Sequence, residues 1–270
     1  NKNILIAADN LGYIYAIDLN TKSLIWAKNY GIPFRSNIKI ADKQILLANQ
    51  DNVIYSLELT TGEKNWQYST NLTFLKSDFI NNFTIDELNK NLFFLNTSGE
   101  FYSINYKNKN INWVLNFRNS SLKGNTDLFL SQPIIQKKDI LIISTEKGIL
   151  SYDTINGIKN WSFSSDASTK PILTTHFLYL ISKNNLLICL DNKTGSVLWS
   201  KNIYKNVTTK IVKKIGKLHD FKIVNNELSV YTRKGYLLTY NYKNGNFIET
   251  KRISKNGIDS EVVFLNKGMF

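Results

Sequence analysis

This chain is poor in the residues on which much protein chemistry depends. Its 270 residues include one cysteine, one methionine, two histidines and three prolines. A lone Cys189 cannot close an intrachain disulfide, and it excludes haem attachment through paired cysteines and cysteine-based zinc sites. The histidines, His176 and His219, stand in different parts of the chain without carboxylates at a recognisable spacing. The sequence holds no H-E-x-x-H, no G-x-S-x-G and no phosphate-cradling G-x-x-x-x-G-K-[ST]. We therefore expect no catalytic constellation, no metal site and no bound cofactor. No apolar run approaches the roughly 20 residues that a membrane-spanning helix requires.

What the chain has in quantity is a repeated phrase. Five eleven-residue copies end in tryptophan: Ala16-Ile-Asp-Leu-Asn-Thr-Lys-Ser-Leu-Ile-Trp26, Ser56-Leu-Glu-Leu-Thr-Thr-Gly-Glu-Lys-Asn-Trp66, Ser103-Ile-Asn-Tyr-Lys-Asn-Lys-Asn-Ile-Asn-Trp113, Ser151-Tyr-Asp-Thr-Ile-Asn-Gly-Ile-Lys-Asn-Trp161 and Cys189-Leu-Asp-Asn-Lys-Thr-Gly-Ser-Val-Leu-Trp199. A sixth, Thr239-Tyr-Asn-Tyr-Lys-Asn-Gly-Asn-Phe-Ile-Glu249, lacks the tryptophan. The spacing, about 40–50 residues, marks a propeller or solenoid.

One unit is legible from Pro171 to Ser200. Pro171-Ile-Leu-Thr174, Phe177-Leu-Tyr-Leu-Ile-Ser182, Leu186-Leu-Ile-Cys-Leu-Asp191 and Ser196-Val-Leu-Trp-Ser200 are short apolar runs separated by Asn, Lys, Thr and Gly. Such runs between turn residues predict antiparallel hairpins. Four strands per repeat make one propeller blade, so the fold class is an all-β propeller with six repeats and a partial seventh from Glu261. A blade has two apolar faces and must be sandwiched between neighbours. Trp26, Trp66, Trp113, Trp161 and Trp199 are expected to wedge into those seams, burying about 150–250 Å² each. The recurrent Asp of the phrase (Asp18, Asp153, Asp191) gives way to Glu58, Asn105 and Asn241, which fits a local turn bond better than acid–base work.

No linker interrupts the repeats, so residues 1–270 are expected to be one domain. The chain begins and stops on strand patterns, and we expect it to be a piece of a longer protein, truncated at both ends. The formal net charge is +13. The lysines are spread along the chain and are densest at Lys201, Lys205, Lys210, Lys213, Lys214 and Lys217. That distribution is expected to form a solvated basic face, and no nucleic-acid partner is expected.

The phrase Ala/Ser-x-Asp-x-x-Thr-Gly-x-x-x-Trp is similar to the repeat of the pyrroloquinoline-quinone-type (PQQ-like) propellers. That superfamily includes quinoprotein dehydrogenases, sensor domains and the outer-membrane assembly lipoproteins of the BamB type. The dehydrogenases use an adjacent cysteine pair, which this chain lacks. The Trp-less sixth phrase and the connector Ser254-Lys-Asn-Gly-Ile-Asp-Ser-Glu-Val262 resemble the BamB type, which closes with eight blades. Ser120-Ser-Leu-Lys-Gly124 is similar to that family's Ser-Leu-Arg-Gly loop, which contacts the barrel-assembly protein BamA. Leu122 matches its apolar contact, and Lys123 stands where the family has Arg. Ser165-Asp-Ala-Ser-Thr-Lys-Pro171 resembles an Asp-x-Asp loop, with Asp166 matching the first acid and Ser168 replacing the second. The resemblance implies a non-enzymatic scaffold at the periplasmic face of the outer membrane. It would bind BamA through Leu122, Lys123, Asp166 and Ser168, receive unfolded outer-membrane chains, and reach the membrane only through a lipid anchor outside this chain. The alternative within the same architecture is a quinone- or ligand-binding sensor, or a dehydrogenase-related propeller.

Overall fold

A computed structural model describes residues 3–70, 82–117, 129, 131, 133–145, 148–260, 262–265 and 268–269. Leu122 and Lys123 lie outside the described residues. The chain divides into two compact units, Asn1–Asp139 with Asp153–Ile158, and Ile140–Tyr152 with Lys159–Phe270.

Short antiparallel meanders follow one another along the chain. The first has three strands, Ile4–Ala8, Tyr13–Asp18 and Leu24–Asn29. Five four-stranded sheets follow, each paired in chain order. The second comprises Lys39–Ala41, Gln44–Ala48, Val53–Glu58 and Lys64–Ser69; the third, Asn82–Asp86, Asn91–Leu95, Glu100–Asn105 and Ile111–Asn116. The fourth comprises Ile135–Lys137, Ile140–Thr145, Gly148–Asp153 and Lys159–Phe163; the fifth, Ile172–Leu173, Phe177–Ile181, Leu186–Asp191 and Val197–Asn202. The sixth comprises Leu218–Val224, Glu227–Thr232, Tyr236–Asn241 and Phe247–Arg252. The partial seventh repeat is a two-stranded pair, Phe264–Leu265 with Gly268–Met269.

The uninterrupted apolar runs of the second strands follow from burial on both faces. Side chains alternate along a strand, so neighbours in sequence serve different cores. In the second sheet, Ile45 and Leu47 pack with Ile14, Ala16 and Trp26 of the first. Leu46 and Ala48 pack with Phe83, Leu92 and Phe94 of the third. Both sets are fully buried. The fifth and sixth sheets share a third core, in which Tyr179, Leu187 and Cys189 meet Phe221, Leu228 and Val230.

The last strand of every repeat is also shaped by one device. Its register slips by one residue just before the tryptophan position, as between Ser56 and Leu57 opposite Trp66 and Lys64. The same slip recurs in the first, third, fourth, fifth and sixth sheets. In three repeats the extra residue is asparagine, and its side-chain amide donates to the serine that begins the phrase. These bonds are Asn65–Ser56 (3.5 Å), Asn112–Ser103 (3.1 Å) and Asn160–Ser151 (3.3 Å). The other repeats place Ile25, Leu198 or Ile248 there, over Ala16, Cys189 or Thr239.

One helix, Thr209–Ile215, interrupts an otherwise all-strand chain among the described residues. The apolar Ile211, Val212 and Ile215 turn inward onto the third core, and Lys210, Lys213 and Lys214 are exposed. Their spacing fits one helical face.

Candidate partner-binding surface

The two ends of the strands carry different equipment. At one end lie the turns of the repeated phrase. The side-chain oxygen of Asp18 accepts the backbone N–H groups of Asn20 (2.7 Å) and Thr21 (3.0 Å). Asp153, Asp191, Asn105 and Asn241 make the same pair of bonds to their own turns. These side-chain oxygens are therefore engaged as turn acceptors. The N–H of Thr194 leads in holding Asp191 below its ordinary value, as that of Thr21 does for Asp18.

Four of the repeats, the second, fourth, fifth and sixth, receive on this turn an indole from the preceding repeat. The Trp26 N–H donates to the Leu59 carbonyl at 3.1 Å, Trp113 to Thr154 at 3.2 Å and Trp161 to Asn192 at 2.9 Å. The ring lies flat against the turn glycine. A Cβ at Gly62 would meet the Trp26 ring at 2.7 Å, and one at Gly195 would meet Trp161 at 2.6 Å. Both glycines also sit at positive φ. Trp26 and Trp161 are buried, and Trp66, Trp113 and Trp199 are part-buried. Trp66 packs beside the second core. Trp199 lies against Gly245, with its buried indole N–H unpartnered.

At the opposite end of the fifth sheet, residues 164–171 lead into its first strand. Ser168 donates its N–H (2.7 Å) and its hydroxyl (3.0 Å) to the Ile181 carbonyl. Ala167, Thr169 and Pro171 are buried, which pins the connector to the sheet on both sides of Ser168. Asp166 is part-buried and forms an ion pair with Lys183 at 3.0 Å. It also accepts the Lys183 backbone N–H at 3.4 Å. Asp166 and Ser168 are thus brought together on one pinned loop, and Leu122 and Lys123 fall among the residues not described. Sequence reasoning missed Lys183. The signal available was its place in the turn that follows the strand to which Ser168 bonds.

The last strands form sheet edges, and these carry exposed apolar side chains: Leu24 and Ile25 in the first sheet, and Val197 and Leu198 in the fifth. No group of three or more His, Cys, Asp or Glu side chains fit for a metal occurs among the described residues. No helix among them is long and apolar enough to cross a membrane.

Repeated four-stranded meanders, with a tryptophan of one repeat lying on the Asx-type turn of the next, define a β-propeller of PQQ-like repeats. The fold matches the crystal structure of BamB from Moraxella catarrhalis with a TM-score of 0.76, at 14% identity, over 98% of this chain and 77% of that one. A computationally designed protein, Ika8, matches at a TM-score of 0.54 and 12% identity, over 100% of this chain and 90% of that one. Residues 1–201 match the family model described as outer membrane protein assembly factor BamB, and the chain belongs to that family. The outer membrane protein assembly factor BamB of Yersinia pestis is 20% identical over 221 residues, or 74% of this chain. The chain spans about half (54%) of the length of that curated relative.

Proposed function

We propose that this chain is a non-enzymatic scaffold of the machinery that assembles outer-membrane β-barrels, docking on a BamA-type partner at the periplasmic face of that membrane. A lipid anchor outside these residues would hold it there. The observation that carries the reading is the pinned connector 165–171. A loop already ordered by two bonds to Ile181 loses little conformational freedom when a partner covers it. It presents Asp166 and Lys183 as a fixed pair of opposite charges. Charges at an interface rim steer encounter and set register. Leu122 and Lys123 would supply the apolar contact and a further cation. The indoles of Trp26, Trp113 and Trp161 are taken up by neighbouring turns, which leaves those three unsuited as stacking platforms for a quinone.

A second activity, the reception of unfolded outer-membrane chains by edge pairing, is favoured by the exposed Leu24, Ile25, Val197 and Leu198. Main-chain bonds would give affinity there and the apolar side chains a weak preference. The recurrent bulge interrupts each such edge, so pairing would be confined to the few residues beyond it.

The test is a pull-down of the periplasmic domains of BamA by the full-length protein. Leu122→Ala, Lys123→Glu and Asp166→Lys together should lower recovery at least tenfold, and Lys183→Ala alone should lower it less. Equal recovery by the triple variant and the parent would refute docking through these loops.

A further inference from the structure

The turns at the Ile181 end of the second unit gather cations that the docking loop does not use. From Asn192 to His219 the chain has no Asp or Glu but seven lysines. Three of them, Lys213, Lys214 and Lys217, end the helix and its exit turn, all exposed. That exit is fastened to the Arg233–Lys234 turn of the sixth sheet. The Arg233 N–H donates to the Lys217 carbonyl at 2.9 Å, and the Lys234 side chain lies across Gly216. Five cations are thus held side by side by backbone bonds and packing. None of the five forms an ion pair among the described residues. Among the described residues, Asp220 is engaged by Lys222 and by the N–H groups of Phe221 and Val262, and Asp259 is exposed one residue beyond Ile258, whose N–H donates to the Arg233 carbonyl.

We propose that this surface docks electrostatically on anionic phospholipid headgroups. Like charges held together raise the energy of the free protein, and a dense layer of anions relieves it. Lysine predominates, and it is a hydrated point charge suited to a field of phosphates more than to a forked carboxylate contact. Protein interfaces, by contrast, are depleted in lysine and centred on apolar anchors. Here the apolar helix residues Ile211, Val212 and Ile215 are spent inward, so the helix itself offers no anchor. Single-stranded nucleic acid needs aromatic platforms for its bases. Every described Phe, Tyr and Trp side chain of the second unit is at least part-buried. The inference does not depend on the BamA reading, because its assay contains no BamA.

The experiment is co-sedimentation of the chain with phosphatidylcholine vesicles and with vesicles that include about 30% phosphatidylglycerol, at low and high salt. Binding should require the anionic lipid and weaken as salt rises. Lys213→Gln, Lys214→Gln and Lys217→Gln together should reduce partitioning roughly 100-fold, at about fivefold per charge. Lys159→Gln, Lys193→Gln and Lys243→Gln remove the same charge from the opposite strand ends and should leave most of the binding intact. The proposal is overturned if neutral vesicles bind as well, or if the two triple variants lose binding equally. It is also overturned if a DNA duplex binds more tightly than vesicles of equal phosphate content through the same three lysines.

Discussion

Lys22 and Lys109 stand where four other repeats have the turn glycine, and both keep the left-handed backbone, at φ 57° and 67°. The turn therefore imposes its geometry on whatever residue occupies it, at some cost in strain. The sequence disclosed this position through the glycines of the Thr-Gly and Asn-Gly dipeptides. It could not disclose the second demand there, close approach of an indole, because the ring comes from about 35–45 residues upstream. Cys189 is a simpler case. Its place among Ser, Ala and Thr at the head of the phrase marks a small buried residue, and it packs in the third core beside Tyr179. Burial pushes its thiol up to about 12. At pH 8 only about one molecule in ten thousand would then carry the reactive thiolate. Modification by Ellman's reagent should follow the rate of unfolding in urea; fast labelling of the folded protein would show Cys189 to be accessible.

Strand existence was legible in nearly every repeat, because alternating contacts with two cores make the middle strands apolar throughout. Two elements were not. The helix Thr209–Ile215 sits in a stretch whose lysines drew attention away from the spacing of Ile211, Val212 and Ile215. The bulge leaves only a pairwise trace, asparagine nine residues after serine, that no single repeat reveals. The clasp of tryptophan on turn is the element with the largest energetic stake. Trp161→Ala should destabilise the fold by roughly 3–5 kcal/mol, the usual effect of emptying a large buried aromatic site. Trp161→Phe should cost about 1–3 kcal/mol, since it keeps a ring but leaves the Asn192 carbonyl without its donor. Urea titrations followed by circular dichroism would measure both. Equal stability of Trp161→Ala and the parent would dismiss the clasp.

Across the whole molecule the carboxylates are few, and several are held in their charged form. Asp42 is lowered by Lys90, then by Lys107, and Asp18 and Asp191 by their turns. A lowered folded value means that the native state favours ionisation. The associated stability is present in full above about pH 4 and is lost as pH falls through the lowered values. The melting temperature should be level from about pH 7 to 5 and drop below about pH 4. A decline centred near the histidine range would contradict this assignment. The partner loops were only half legible: the pinned connector around Asp166 is a property of this structure, whereas its use rests on family resemblance. The two-sided strands have a last consequence for descent. Adding one residue inside Gln44–Ala48 would hand the side chains beyond it to the wrong neighbour, so an insertion should be tolerated only in the junctions between repeats. The Thr209–Ile215 helix sits in such a junction, where new binding properties can arise without disturbing the lattice of cores.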